Sequence, residues 1–158
     1  MPRLPVISLA ILSAAALAYE LLLMRLLSII FWHHFAYMVI GLSLLGHGFS
    51  GSVVMVLQDK LLKYFRQLYI GSILLFSLFS IISFQWAQNI PFNAEEILWD
   101  WWQGVYLLII FLFLSLPFFF VGLAICLAFL HFKRQLSRLY AADLLGAGVG
   151  CLVFVLLL

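Results

Sequence analysis

Glu20, Arg25, His33, His34, His47 and Asp143 are ionisable residues that fall in or beside long runs of Leu, Ile, Met and Phe. An Asp, Lys or Arg at the centre of a membrane helix costs about 2.5–3.5 kcal/mol on insertion scales. Such groups therefore mark either a packing partner or a path for protons, ions or substrate. At about 1.5 Å of rise per residue, Glu20 and His47 reach a similar depth in two successive apolar segments. A carboxylate and an imidazole there suit proton or ion transfer. They also suit a hydrogen bond that fixes how two helices dock. Arg25 is about 140° around the helix from Glu20, so the two do not share a face. Arg25 either snorkels to the membrane edge or reaches a carboxylate or carbonyl of another helix.

The remaining candidates carry weaker chemistry. His33 and His34 precede His47 by a spacing that on one helix holds two haems, yet each haem also needs an axial ligand from a second helix. The other histidine, His131, falls at the opposite membrane edge. His33 and His34, beside Trp32, are therefore read as interfacial, as is Tyr140. Asp143 is expected in the first turn of the last helix, as a cap or a partner of Arg138. Gly146, Gly148 and Gly150 lie inside an apolar helix and not between a strand and a helix, so they are not a dinucleotide fingerprint. No nucleophile triad, zinc spacing or phosphate loop occurs, and no metal or cofactor is expected. Cys126 and Cys151 form no CxxC or CxxH spacing and read as buried small hydrophobes.

Composition says what positions these residues. Of 158 residues 67% are hydrophobic and 9% are charged, against about 25% charged in soluble domains. Mean hydropathy is +1.23. The chain reads as one all-α domain, a polytopic membrane helix bundle with spans at residues 6–31, 35–57, 68–87, 105–132 and 141–158. The N-terminal run resembles a signal peptide ending at Ala16-Leu17-Ala18, but it continues apolar to Phe31 and is long enough to span. An amphipathic interfacial helix is expected at 93–103, with Asn93 as N-cap, Glu96 three residues on, and Trp99, Trp101 and Trp102 at headgroup level. Pro117 is expected to kink the fourth span.

Small residues recur at four-residue spacing in two spans. Ser43, His47 and Gly51, with Gly48 and Ser52 beside them, form one such row, and Ala142, Gly146 and Gly150 form the other. Rows of this kind let helix backbones approach closely. They point to packing within the bundle, to self-association or to other membrane chains. The lipid bilayer is the other partner, and no nucleic-acid partner is expected.

Seven of the eight basic residues lie at Arg3, in the Lys60/Lys63/Arg66 connection and in the Lys133/Arg134/Arg138 connection. With five spans these three regions share one side. The connection between spans three and four holds three acids and no Lys or Arg. The positive-inside rule then places the N-terminus in the cytoplasm and the tryptophans outside.

YELLLMRLLSIIF…HHFAYMVIGLSLLGHGFSG and LYAADLLGAGVGC resemble the membrane region of polytopic bacterial spermidine synthase-like proteins. The matching positions are Glu20, Arg25, His33, His34, Asp143 and Gly146, in two blocks that cover under a third of the chain. The resemblance implies a helix bundle in the bacterial inner membrane that anchors or serves a cytoplasmic aminopropyltransferase-like domain. The family's decarboxylated-SAM-binding and catalytic segments do not occur in these residues. The alternatives are an accessory subunit of a larger membrane complex and a small transporter or channel protomer. The final LVFVLLL has no anchoring Lys, Arg, Trp or Tyr, so a longer native chain or a covering partner is expected there.

The topology predicts that a cysteine at Gln103 reacts with a membrane-impermeant reagent from outside, whereas one at Gln67 reacts only after permeabilisation. Equal labelling of both from outside would overturn this orientation.

Overall fold

The computed structural model describes residues 5–30, 33–89 and 99–157, and every regular element among them is helical. The helices are α1 (Val6–Ile30), α2 (His33–Lys63), α3 (Phe65–Asn89), α4 (Trp101–His131) and α5 (Leu136–Leu157). A 3-10 turn, Lys133–Gln135, precedes α5. All five are long and apolar enough to cross a membrane. A helix closes its own N–H···O=C bonds, the condition that a hydrocarbon medium imposes on any spanning backbone.

Several boundaries differ from the sequence reading, and the differences are mostly extensions. α2 starts at His33, so the histidine pair belongs to its first turn. It leaves helical angles at Leu57 (φ −107°, ψ 15°) and then continues to Lys63. The expected polar connection is thus helical except at Tyr64, because Gln, Lys and Leu are good helix formers and no Gly or Pro stops them. α5 likewise begins at Leu136, which moves Asp143 from the first turn to the third and removes it from any capping role. At the other end, Trp101–Gln103 belong to α4. Asp100 is its N-cap, accepting from the Trp102 N–H at 3.1 Å. The expected cap at Asn93 lies outside the described residues. α4 runs through Pro117 as one helix.

α4 is the most enclosed helix and packs on α2 and α3, while α1 packs on α5 and α2. Two apolar clusters fill the space between them. One joins Leu9, Leu12 and Ala16 of α1 to Tyr69 and Phe76 of α3, Val121, Ala124 and Ala128 of α4, and Leu139 of α5. The other joins Leu23 and Leu27 to Val39 and Leu42 of α2 and to Ile110, Leu114 and Phe118 of α4. Tyr19 touches both clusters, with its ring against Phe76 and Phe118 and its hydroxyl 3.2 Å from Ser83.

Two helix pairs make backbone-to-backbone contact, and both run parallel. On α5, Gly146 faces the Ala10 backbone and Gly150 faces the Ala14 backbone, so the Ala142/Gly146/Gly150 row lies against α1. On α2, a Cβ at Gly46 would lie 2.7–2.9 Å from Phe118 and Phe119 of α4. Gly122 of α4 leaves room for Ser50 and the His47 backbone. The contact row of α2 is therefore Gly46 and Ser50, one residue before His47 and Gly51. At Gly48 and Gly51 a Cβ would meet none of the described residues within 4 Å. Gly48 is exposed and Gly51 half-buried.

Because the two glycines differ so sharply, Gly46→Ala should destabilise the folded bundle by about 1–3 kcal/mol through overpacking. Gly48→Ala should stay within about 0.5 kcal/mol of wild type. Reversible unfolding in mixed micelles measures both, and equal costs would contradict the packing described.

Candidate intramembrane polar site

Glu20 is half-buried on α1 and faces α2, where the Ser43 hydroxyl donates to its Oε2 at 3.0 Å. Ser43 is buried because it lies on the same side of α2 as Val39, Leu42 and Gly46. His47, one turn further, turns back on its own helix, with Nδ1 2.8 Å from the Ser43 carbonyl. A carbonyl only accepts, so Nδ1 carries the proton and Nε2 is the acceptor in the neutral ring. The imidazole sits against α4, its centroid 6.3 Å from that of Phe118. A Cβ on Gly122 would come within 3.3 Å of its Cδ2.

Glu20 and His47 are thus both bonded to Ser43, but to different atoms of it. The hydroxyl serves Glu20 and the backbone carbonyl serves His47. A hydroxyl can pass a proton along; a peptide carbonyl has none to pass. The two titratable groups therefore form a bracket around Ser43, with no proton wire running through it.

Asp143 has the equivalent place between α5 and α1. Its Oδ1 takes the hydroxyl of buried Ser13, which also lies 3.0 Å from the Leu9 carbonyl, so one proton is shared between two acceptors. Arg138, its expected partner, is exposed. Ser43 was expected only as a helix-packing residue, and Ser13 was absent from the sequence reading. Its only signal is a polar residue on a helix face that is otherwise apolar.

Arg25 is exposed on α1, away from the clusters, and no ion pair with Glu20 forms. The distance from Arg25 to the end of α1 is about one turn and a half of helix, within snorkelling range. The backbones of His33 and His34 open α2; their side chains lie outside the described residues. Tyr140 is exposed near the start of α5. Among the described residues no three His, Cys, Asp or Glu side chains converge on a metal position.

Two further features were not anticipated. Ser50 is fully buried and donates to the His47 carbonyl at 2.7 Å. An apolar groove of about 750 Å³ opens outward between α2 and α4 beside Gly46, with Leu45, Gly48, Phe49, Leu112, Leu116 and Phe119 on its walls. Comparison with protein-family models, curated proteins and solved structures finds no match for the chain.

Double-mutant cycles should detect the two acid–serine contacts. Interhelical hydrogen bonds of this kind average about 0.6 kcal/mol and reach about 1.7 kcal/mol in membrane proteins. Unfolding of Glu20→Ala, Ser43→Ala and the double variant, and of Asp143→Ala, Ser13→Ala and their double, should return couplings in that range. Glu20→Gln, which keeps a carbonyl acceptor for Ser43, should cost less than Glu20→Ala. Zero coupling at both sites would remove the clamp interpretation.

Proposed function

We propose that this chain is the membrane module of a spermidine synthase-like protein, built to anchor or serve a cytoplasmic aminopropyltransferase-type domain. The observation that carries the reading is the way the intramembrane polar groups are used. Glu20 and Asp143 each accept from a serine on a neighbouring helix, and His47 bonds its own helix. Groups spent on docking helices suit a rigid support better than a conduit. The sequence blocks containing Glu20, Arg25, His33, His34, Asp143 and Gly146 support the choice of family, since they resemble its membrane region. In this reading the bundle lies in the bacterial inner membrane, with the N-terminus and the two basic turns on the cytoplasmic side, where the positive-inside rule puts them. Chemistry belongs to the transferase domain, and the bundle contributes position and a membrane surface.

A second reading, an accessory subunit of a larger membrane complex, is favoured by one observation. Gly48 and the outward groove beside it leave a small-residue helix face that has no partner among the described residues. Small-residue faces are a common means of helix association in membranes.

Deleting the gene in its host decides between them. Aminopropyl transfer from decarboxylated S-adenosylmethionine to a polyamine should disappear from the membrane fraction, while the cytosolic activity persists. Unchanged membrane-bound activity, together with loss of a co-purifying membrane complex, would replace the first reading with the second.

A further inference from the structure

Six of the eight basic residues gather at one end of the bundle. Lys60 and Lys63 close α2, Arg66 opens α3, Lys133 and Arg134 form the 3-10 turn, and Arg138 lies in the first turn of α5. All six are exposed, and Asp59 is the one acidic residue in these segments. The two turns are held together by rings. Phe65, at the start of α3, stacks on His131 at the end of α4 with centroids 4.0 Å apart and planes 6° from parallel. It meets Phe132 edge-on at 5.7 Å. At the α4–α5 turn a cavity of about 370 Å³ is lined by Leu130, His131, Phe132, Lys133, Arg134 and Gln135.

The surroundings of this cavity are amphiphilic. A guanidinium forks onto phosphate oxygens and an ammonium meets them as a point charge. Directly along α5 from the turn, Leu136, Tyr140 and Leu144 recur at one-turn intervals, and all three are exposed. Cation at the mouth and an apolar stripe leading toward the membrane interior match a molecule with a phosphate head and hydrocarbon tail. Basic pockets between helices on the cytoplasmic side are also the places where anionic lipid headgroups are held.

We propose that the cavity at the α4–α5 turn binds the phosphate of an anionic phospholipid through Lys133 and Arg134, with an acyl chain lying along Leu136, Tyr140 and Leu144. Free phosphate shares the head chemistry but gains nothing from the stripe. Lys60 and Lys63 do not line this cavity and contribute only to the general field. The site stands on the charge placement and the cavity and does not depend on the function proposed above.

The test uses the whole chain in micelles containing phosphatidylglycerol and phosphatidylcholine, with bound lipid counted by native mass spectrometry. Wild type should retain phosphatidylglycerol in preference to phosphatidylcholine. Lys133→Gln with Arg134→Gln should lower that preference by on the order of fivefold for each charge removed. Lys60→Gln with Lys63→Gln removes the same net charge and should leave most of it intact. The exchange Lys133→Arg with Arg134→Lys should preserve it, and circular dichroism should show unchanged helicity throughout. Equal losses from the two Gln pairs would overturn the site in favour of diffuse attraction. Displacement of phosphatidylglycerol by millimolar inorganic phosphate would reassign the cavity to a free anion. No preference in wild type would overturn lipid binding and leave the basic end to a protein partner.

Discussion

Helices in hydrocarbon gain little from hiding apolar side chains from one another, because lipid tails are as apolar as leucine. For five helices long and apolar enough to cross a membrane, close approach of backbones becomes the governing constraint, and the remainder of the structure depends on where that approach is sterically allowed. Gly146 and Gly150 admit the backbone of α1 at Ala10 and Ala14, and Gly46 and Gly122 bring α2 and α4 together. These contacts define two parallel pairs, α1/α5 and α2/α4. Large residues such as Phe118, Leu114 and Leu127 then fill the space that the glycine contacts leave beside them.

The polar groups follow from the same constraint. Once α1 and α2 approach, Glu20 comes within reach of a hydroxyl on α2. Once α1 and α5 approach, Asp143 meets Ser13. An acid in a nonpolar medium is stable only with donors close by, and the close pairs bring serines near enough to serve. The remaining buried serines mostly bond their own helix, as Ser72 does to the Leu68 carbonyl and Ser115 to that of Leu112. Tyr19 adds the lateral link, tying α1 to α3 through Ser83 and packing on α4 through Phe118. Polar chemistry and packing are thus one system between the helices, whereas the cationic turns at one end form a separate one.

This division bears on how such a chain could work. The interior acids are used between helices, Glu20 with Ser43 and Asp143 with Ser13. The bundle's chemical variety is displaced to its surfaces: the basic end with its cavity, and the outward groove beside Gly48. The first suits a phosphate and the second suits a hydrocarbon chain or another helix. A support that presents these surfaces to its environment is the arrangement that the proposed anchoring role calls for.

Five helices, their order and the basic segments were legible in the sequence, because apolar run length and lysine placement are properties of local segments. The row Ala142/Gly146/Gly150 was legible too, since its glycines stand one turn apart in an otherwise bulky helix. The α2 row was legible only approximately. Ser43, His47 and Gly51 were expected to line it, yet a four-residue stride drifts about 40° around the helix at each step, and several rows in this glycine-rich stretch compete. Which row is used depends on the partner, and α4 selected Gly46 and Ser50 by presenting Phe118 and Gly122. The helix ends at Leu136 and Lys63 escaped the sequence reading for a related reason: charge marked those segments as connections, although their residues favour helix. The pairing of Glu20 with Ser43 and of Asp143 with Ser13 was decided by tertiary structure alone. A hydrogen bond between residues so far apart in sequence exists only when two backbones have already met, and no local pattern of side chains encodes that meeting.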